Sequence, residues 1–207
     1  FHFVVEQVAG RATVIAGTGT NGTKASIELT QIAEYAGVDG IMLVNPYYNK
    51  PSQEGLYQHF KAVAAATTLP VMLYNIPGRS AVNMLPETII RLSEVDNIVS
   101  VKEASGDLDA MTQIIHETPE DFSLYSGDDG LLLPVLAIGG VGVVSVSAHI
   151  LGHDMQEIIS LFENGHYQEA ARLNGHIRPI IRAMFAQPSP SPVKAALNMQ
   201  GVSVGDV

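Results

Sequence analysis

Three side chains in this sequence are of types, and at a spacing, that could do covalent chemistry. Tyr74 closes the apolar run "PVMLYN", Arg79 follows five residues later in "YNIPGRS", and Lys102 closes "NIVSVK". A lysine at the end of an apolar strand has two readings. Its stem can lie buried while its head reaches water, or its amine can lose a proton readily and act as a nucleophile. A free lysine titrates at about 10.4, and catalytic lysines are brought to about 7–8 by desolvation and neighbouring cations. An amine beside a phenol, with a guanidinium nearby, makes a coherent set. The amine attacks a ketone, the phenol moves protons, and the planar fork holds a carboxylate.

For these groups to meet, the runs that carry them must lie side by side. Six β-rich runs recur, at residues 12–17, 40–45, 70–75, 97–102, 122–127 and 140–146. Helical patterns fall between and after them, at 24–37, 52–67, 86–94, 108–117, 130–138 and 154–164. The first five runs start 25–30 residues apart, a spacing that fits strand, loop, helix and return. Nearly continuous apolar strands of this kind read as parallel and covered on both faces. Each run is followed by a polar or glycine-rich cluster ("GTGTNGT", "NPYYNKPS", "YNIPGRS", "KEASGD", "SGDD", "SVSAH"), whereas the returns into the strands are plainer ("AGVDG", "TTLP", "EVDN"). In a (β/α)8 TIM barrel the loops after the strands build the active site. The predicted fold is therefore α/β, a barrel without its first two βα units in this sequence. Residues 1–150 would carry strands three to eight and residues 151–207 a C-terminal helical region. The proline-rich "QPSPSP" at 187–192 is expected to separate two terminal helices.

The remaining motifs have competing, plainer explanations. "GTGTNG" at 17–22 fits the glycine spacing of a dinucleotide loop, which also requires an acidic residue closing the next strand. Asp39 precedes that strand instead, so a tight turn is the better reading. His149 and His153 are spaced i, i+4, but no carboxylate completes a zinc set. Asp128 and Asp129 open a helix, where acids commonly cap. A net charge of −10 argues against nucleic acid or an anionic membrane as partner. The absence of cysteine excludes disulfide and thiolate chemistry and suits the cytoplasm. The opening "FHFVVEQVAG" has no methionine and reads as the tail of an amphipathic helix, so the chain is expected to begin inside a longer protein.

The stretches "AGTGTNGT", "PYYNKPSQEGLYQHF", "YNIPGRS", "VKEASGD", "YSGDD", "GGVGVVSVSAH" and "PSPVKAALNMQG" together resemble the dihydrodipicolinate synthase / N-acetylneuraminate lyase family of class I aldolases. They occur in that family's order and span essentially the whole chain. The resemblance implies a lyase in diaminopimelate and lysine biosynthesis. Lys102 would form a Schiff base with pyruvate, which then condenses with aspartate semialdehyde. Tyr74 would relay protons, and Tyr48 would complete a neighbouring subunit's relay across a tight interface. Arg79 would receive the carboxylate of the second substrate, and the backbone at Val144 would pack against pyruvate. An arginine at position 79 favours the synthase branch over the neuraminate lyases. The family's pyruvate-binding threonine pair lies after an earlier strand that this sequence does not contain. The resemblance implies no metal or other cofactor, and a homodimer or homotetramer. Another pyruvate aldolase of the family and a non-catalytic scaffold are the alternative readings.

Overall fold

Every apolar run predicted as a strand contains one, and the fold class is α/β. The computed structural model describes residues 1–206 and divides into two units, Phe1–Tyr125 and Ser126 onward. In the first, α1 (His2–Val8) is followed by β1 (Ile15–Gly17), α2 (Thr23–Tyr35), β2 (Gly40–Val44), α3 (Gln53–Ala64) and β3 (Val71–Asn75). Then come α4 (Pro77–Ser80), α5 (Pro86–Ser93), β4 (Ile98–Glu103), α6 (Leu108–Glu117) and β5 (Ser123–Ser126), whose last residue opens the second unit. These strands lie in chain order, and β1 to β4 pair in parallel. Strand, helix and return therefore repeat as the spacing predicts.

The core of this unit forms where helix and strand periods meet. Ile41, Leu43, Val71 and Leu73 have no exposed surface, and nor do Leu56, Phe60 and Val63 on α3. Residues 56, 60 and 63 recur at the three- and four-residue steps of one helical face. Each such side chain contributes roughly 1.5–3 kcal/mol when fully buried. Local signals fix the helix ends. Ser52 accepts a hydrogen bond from the Gly55 amide at the start of α3, and Asp107 accepts from the amides of Asp109 and Ala110 at the start of α6. Pro86 occupies the first turn of α5, and Gly37, at φ +83°, turns the chain just past α2.

One irregularity interrupts the pairing of β3 with β4. Val71 pairs with Ile98 but Met72 pairs with Ser100, so Val99 is an extra residue in β4. Beyond this shift Tyr74 lies opposite Lys102 and Asn75 opposite Glu103.

The second unit holds a 3-10 turn (Asp129–Leu131), α7 (Leu132–Ala137), β6 (Gly142–Val143), α8 (Ala148–Glu163), α9 (Tyr167–Met184) and α10 (Ser191–Met199). Its core joins Leu132 and Leu136 to Leu151, Met155 and Ile158 of α8 and to Ala170, Ile177 and Ile181 of α9. The helices α9 and α10 are the terminal pair expected on either side of "QPSPSP".

Several element ends shift by up to three residues, β1 for instance starting at Ile15 and not 12, and two differences in the second unit are larger. The strand predicted over 140–146 is only two residues long, and the amides of Val146 and Ser147, which a longer strand would have offered to its neighbour, are taken by a side chain. Asp129 accepts from Val146 at 3.2 Å and from Ser147 at 2.7 Å, while Ser145 Oγ accepts from Ala148 at 2.8 Å. Accordingly α8 begins at Ala148, earlier than the predicted 154, and breaks its helical geometry at Leu151. Among the described residues no helix is long and apolar enough to cross a membrane.

Candidate active site

The register of β3 and β4 brings the two principal candidates together. Tyr74 and Lys102 are paired residues at the ends of adjacent strands, and Lys102 Nζ lies 4.0 Å from the centre of the Tyr74 ring. Both are half-buried. An ammonium over a phenol face is attracted by the ring's quadrupole, an interaction that strengthens as water is excluded. Burial pushes the Tyr74 hydroxyl above its ordinary value, and the Arg79 charge pulls it partly back down. That opposition places the guanidinium within electrostatic reach of the phenol.

Arg79 sits on α4, a single helical turn where the sequence pattern predicts loop. Pro77 starts the turn, and Ser80 Oγ closes it, lying 2.9 Å from the carbonyls of both Ile76 and Val82 with one proton to donate. The guanidinium itself is exposed, a suitable position for meeting a substrate's carboxylate. Tyr48 stands on the loop after β2 with its side chain 86% exposed and its backbone at φ +73°. A left-handed backbone is costly for an aromatic residue and persists only where its surroundings impose it. Here the Tyr48 amide donates to the Ser80 carbonyl at 3.2 Å, tying this loop to the turn that carries Arg79. Val144 belongs to the second unit, one residue beyond β6, and its amide donates to the Ser126 carbonyl at 2.9 Å.

Sequence reasoning missed the layer beneath these groups. Asn45, Asn75 and Glu103 directly follow Val44, Tyr74 and Lys102, and all three are buried. Asn45 Nδ2 donates to Asn75 Oδ1 at 2.7 Å, and Asn75 Nδ2 donates to Glu103 Oε2 at 2.9 Å. Glu103 Oε1 accepts from the Ser105 amide at 2.7 Å. Burial raises the Glu103 carboxyl above the usual carboxylate range, against the lowering effect of the Asn75 and Ser105 hydrogen bonds. A cavity of about 260 Å³ opens against this layer, lined by Asn75, Asn83, Glu103, Ser105 and Asp107. The signal in the sequence is the asparagine that closes both "GIMLVN" and "PVMLYN".

The glycine-rich loop has a steric explanation. A Cβ on Gly19 would stand 2.4 Å from the Val44 amide nitrogen and 2.9 Å from Leu43 Cα, so this glycine allows the loop to cross β2 closely. Thr18 and Thr30 share a buried hydrogen bond of 2.8 Å, and Ser26 Oγ accepts from the Thr20 amide. The loop's polar groups thus bond within the turn, to α2 and, through Asn21 and Asn49, to the loop after β2. Asp39 accepts from the Val14 amide at 2.7 Å and lies at the opposite end of the strand. Asp128 caps Gly130, as expected, whereas Asp129 is buried and holds the start of α8. His149 and His153 are exposed.

The protein is thus α/β, with parallel strands that end in a paired amine and phenol, groups of the kind imine chemistry uses. The model of the dihydrodipicolinate synthetase family matches residues 1–207, and the chain belongs to that family. It is 60% identical over 207 residues to 4-hydroxy-tetrahydrodipicolinate synthase of Bacillus velezensis, covering all of this chain and 72% of that one. Among solved structures, dihydrodipicolinate synthase from Bacillus anthracis has a TM-score of 0.97 at 54% identity, with 100% of this chain and 70% of that chain covered. A structure described as the first monomeric dihydrodipicolinate synthase variant has the same TM-score at 38% identity, again with 100% and 70% covered.

Proposed function

We propose that this chain is a lyase that condenses pyruvate with aspartate semialdehyde to give 4-hydroxy-tetrahydrodipicolinate, a step of diaminopimelate and lysine biosynthesis, in the cytoplasm. The observation that carries the mechanism is the placement of Lys102 Nζ 4.0 Å from the Tyr74 ring at the ends of paired strands. The Lys102 amine attacks the keto carbon of pyruvate and water leaves, forming an imine. The imine accepts the electron pair released when the pyruvate methyl loses a proton. The resulting enamine attacks the aldehyde carbon, and cyclisation releases the lysine. Tyr74, whose hydroxyl burial pushes above its ordinary value, passes protons during imine formation.

Arg79 receives the aldehyde substrate's carboxylate through its bidentate fork. The backbone at Val144 packs against pyruvate. Exposed Tyr48, fixed in its left-handed conformation, reaches the site of a second copy, so the working form is a homodimer or homotetramer. In this reading residues 1–150 supply strands three to eight of a (β/α)8 TIM barrel without its first two βα units, and residues 151–207 supply the C-terminal helices. Identity of 60% along the full chain to a 4-hydroxy-tetrahydrodipicolinate synthase supports the assignment.

Borohydride reduction in the presence of pyruvate tests it. Peptide mapping is expected to find the adduct on Lys102 alone, and Lys102→Arg is expected to abolish it, because guanidinium stays charged and forms no imine. An adduct on Lys24, Lys50, Lys61 or Lys194 would overturn the mechanism. Condensation with a sugar aldehyde but not with aspartate semialdehyde would move the assignment to another branch of the family.

A further inference from the structure

We infer that the buried ladder Asn45–Asn75–Glu103 is a positioning device for the imine-forming site: it fixes Lys102 against Tyr74 and anchors the turn that bears Arg79. The inference rests on the Schiff-base reading above. Successive residues of a strand point to opposite faces. The pairing of Lys102 with Tyr74 on one face therefore puts Glu103 and Asn75 together on the other. Their side chains hydrogen-bond directly across the two strands, beside the paired residues whose alignment the chemistry needs.

Donor capacity shows how tightly the ladder is specified. Asn75 has one carboxamide, with two N–H donors and one oxygen. Its Nδ2 lies 2.9 Å from Glu103 Oε2 and 2.8 Å from Asn83 Oδ1, so its two protons are committed to the neighbouring strand and to the following loop. Its Oδ1 accepts from Asn45 Nδ2 at 2.7 Å and from the Met84 amide at 3.0 Å. Asn45 Nδ2 also reaches the Val82 carbonyl at 3.3 Å. The segment that returns from Arg79 is thus held at Val82, Asn83 and Met84 by the residues next to Val44 and Tyr74. Glu103 secures the far end through the Ser105 amide. Three strand ends and the Arg79 turn form one hydrogen-bonded unit.

Glutamate suits position 103 because both its oxygens face donors, Oε2 the Asn75 Nδ2 and Oε1 the Ser105 amide. A glutamine there has nearly the same shape, but it turns one acceptor into a donor facing Asn75 Nδ2 or the Ser105 amide. Single-turnover trapping distinguishes loss of position from loss of fold. A merely structural role lowers the amplitude, since fewer molecules are competent, while those that remain react at the native rate. A positioning role lowers the rate constant at full amplitude.

For the full-length protein, trapping of pyruvate by borohydride is to be timed in the unsubstituted enzyme, in Glu103→Gln and in Asn83→Ala. The last removes an exposed partner of Asn75 and so spares the buried core. Glu103→Gln is expected to trap at least tenfold more slowly with undiminished amplitude, and Asn83→Ala about threefold more slowly. Native rates in both variants, or reduced amplitude at native rate, would overturn the inference. If Glu103→Gln does not fold, the rate in Asn83→Ala decides alone. Failure of the unsubstituted enzyme to trap pyruvate would instead overturn the Schiff-base reading, and this inference with it.

Discussion

The two ends of the strands in the first unit are built from similar polar residues used in opposite ways. At the return end, side chains satisfy backbone. Asn97 Nδ2 lies within hydrogen-bonding distance of the carbonyls of Ala64, Thr67 and Leu69, and Asp39 accepts from the Val14 amide. Glu34 there accepts from the hydroxyls of Thr67 and Thr68 and from the Thr68 amide. At the mouth end, buried side chains bond to one another across three strands. The carboxyls record the contrast. Hydrogen bonds from Thr68 hold Glu34 below its ordinary range, whereas burial lifts Glu103 above it. A solvated carboxylate clamps the return, while a desolvated one lies under the chemistry.

Substitutions at the two ends are expected to have separable effects, on reaction rate at the mouth and on stability at the return. The largest effect belongs to Tyr74→Phe. Loss of a positioned proton donor costs typically 10²–10⁴-fold, so condensation should slow by about that factor while borohydride trapping slows without disappearing. Unchanged steady-state kinetics would place the proton relay elsewhere. Arg79→Lys comes next. A point charge does not reproduce the bidentate fork, and a charge-assisted contact contributes about 1.5–3 kcal/mol, so turnover of the aldehyde should fall roughly ten- to a hundredfold. Pyruvate trapping should be unaffected, and equal loss of both activities would make Arg79 structural.

Asn97→Ala tests the return end. Removing one donor shared by three carbonyls should cost about 1–2 kcal/mol in urea denaturation. The activity of the folded fraction should be unchanged, and a slower rate per folded molecule would break the division. The smallest effect is the pH dependence of the two carboxyls. Glu34, depressed in the fold, contributes stability above its ordinary value of 4.5 that is lost as pH falls through its folded pKa. Glu34→Gln should therefore flatten the acid limb of a urea-midpoint profile. Glu103, raised in the fold, contributes in the opposite sense. Its stabilisation is complete below its ordinary 4.5 and lost as pH rises through its folded pKa, so Glu103→Gln should flatten the decline on that side.

The candidate residues at the mouth are legible in the sequence because their types conflict with their surroundings. A lysine and a tyrosine that close apolar runs 28 residues apart point to convergence by their spacing alone. The strand positions are legible from hydrophobic runs, and the starts of α3, α5 and α6 from Ser52, Pro86 and Asp107. The ladder is not. Asn45, Asn75 and Glu103 are ordinary residues taken singly, and their bonding depends on register across strands. The short β6 is hidden for a related reason: "GVGVVSV" has strand composition, but Asp129, from another segment, takes the amides of Val146 and Ser147. The loop holding Tyr48 is visible as polar and aromatic, whereas its left-handed backbone follows from tertiary contacts.

The extra residue in β4 sets the phase of the site. Counted from Val71 opposite Ile98 without a shift, Tyr74 would fall opposite Val101, and Lys102 would pass to Asn75. Because side chains alternate, that one-step offset would bring an alkyl group to the phenol and set the amine beside the carboxamide. Val99 is thus a parity bit: left out of the pairing itself, it determines which of two neighbouring residues meets Tyr74. Changes near positions 71 and 99 should be judged by odd and even displacement along the strand, because an even slip preserves the face and an odd one exchanges it.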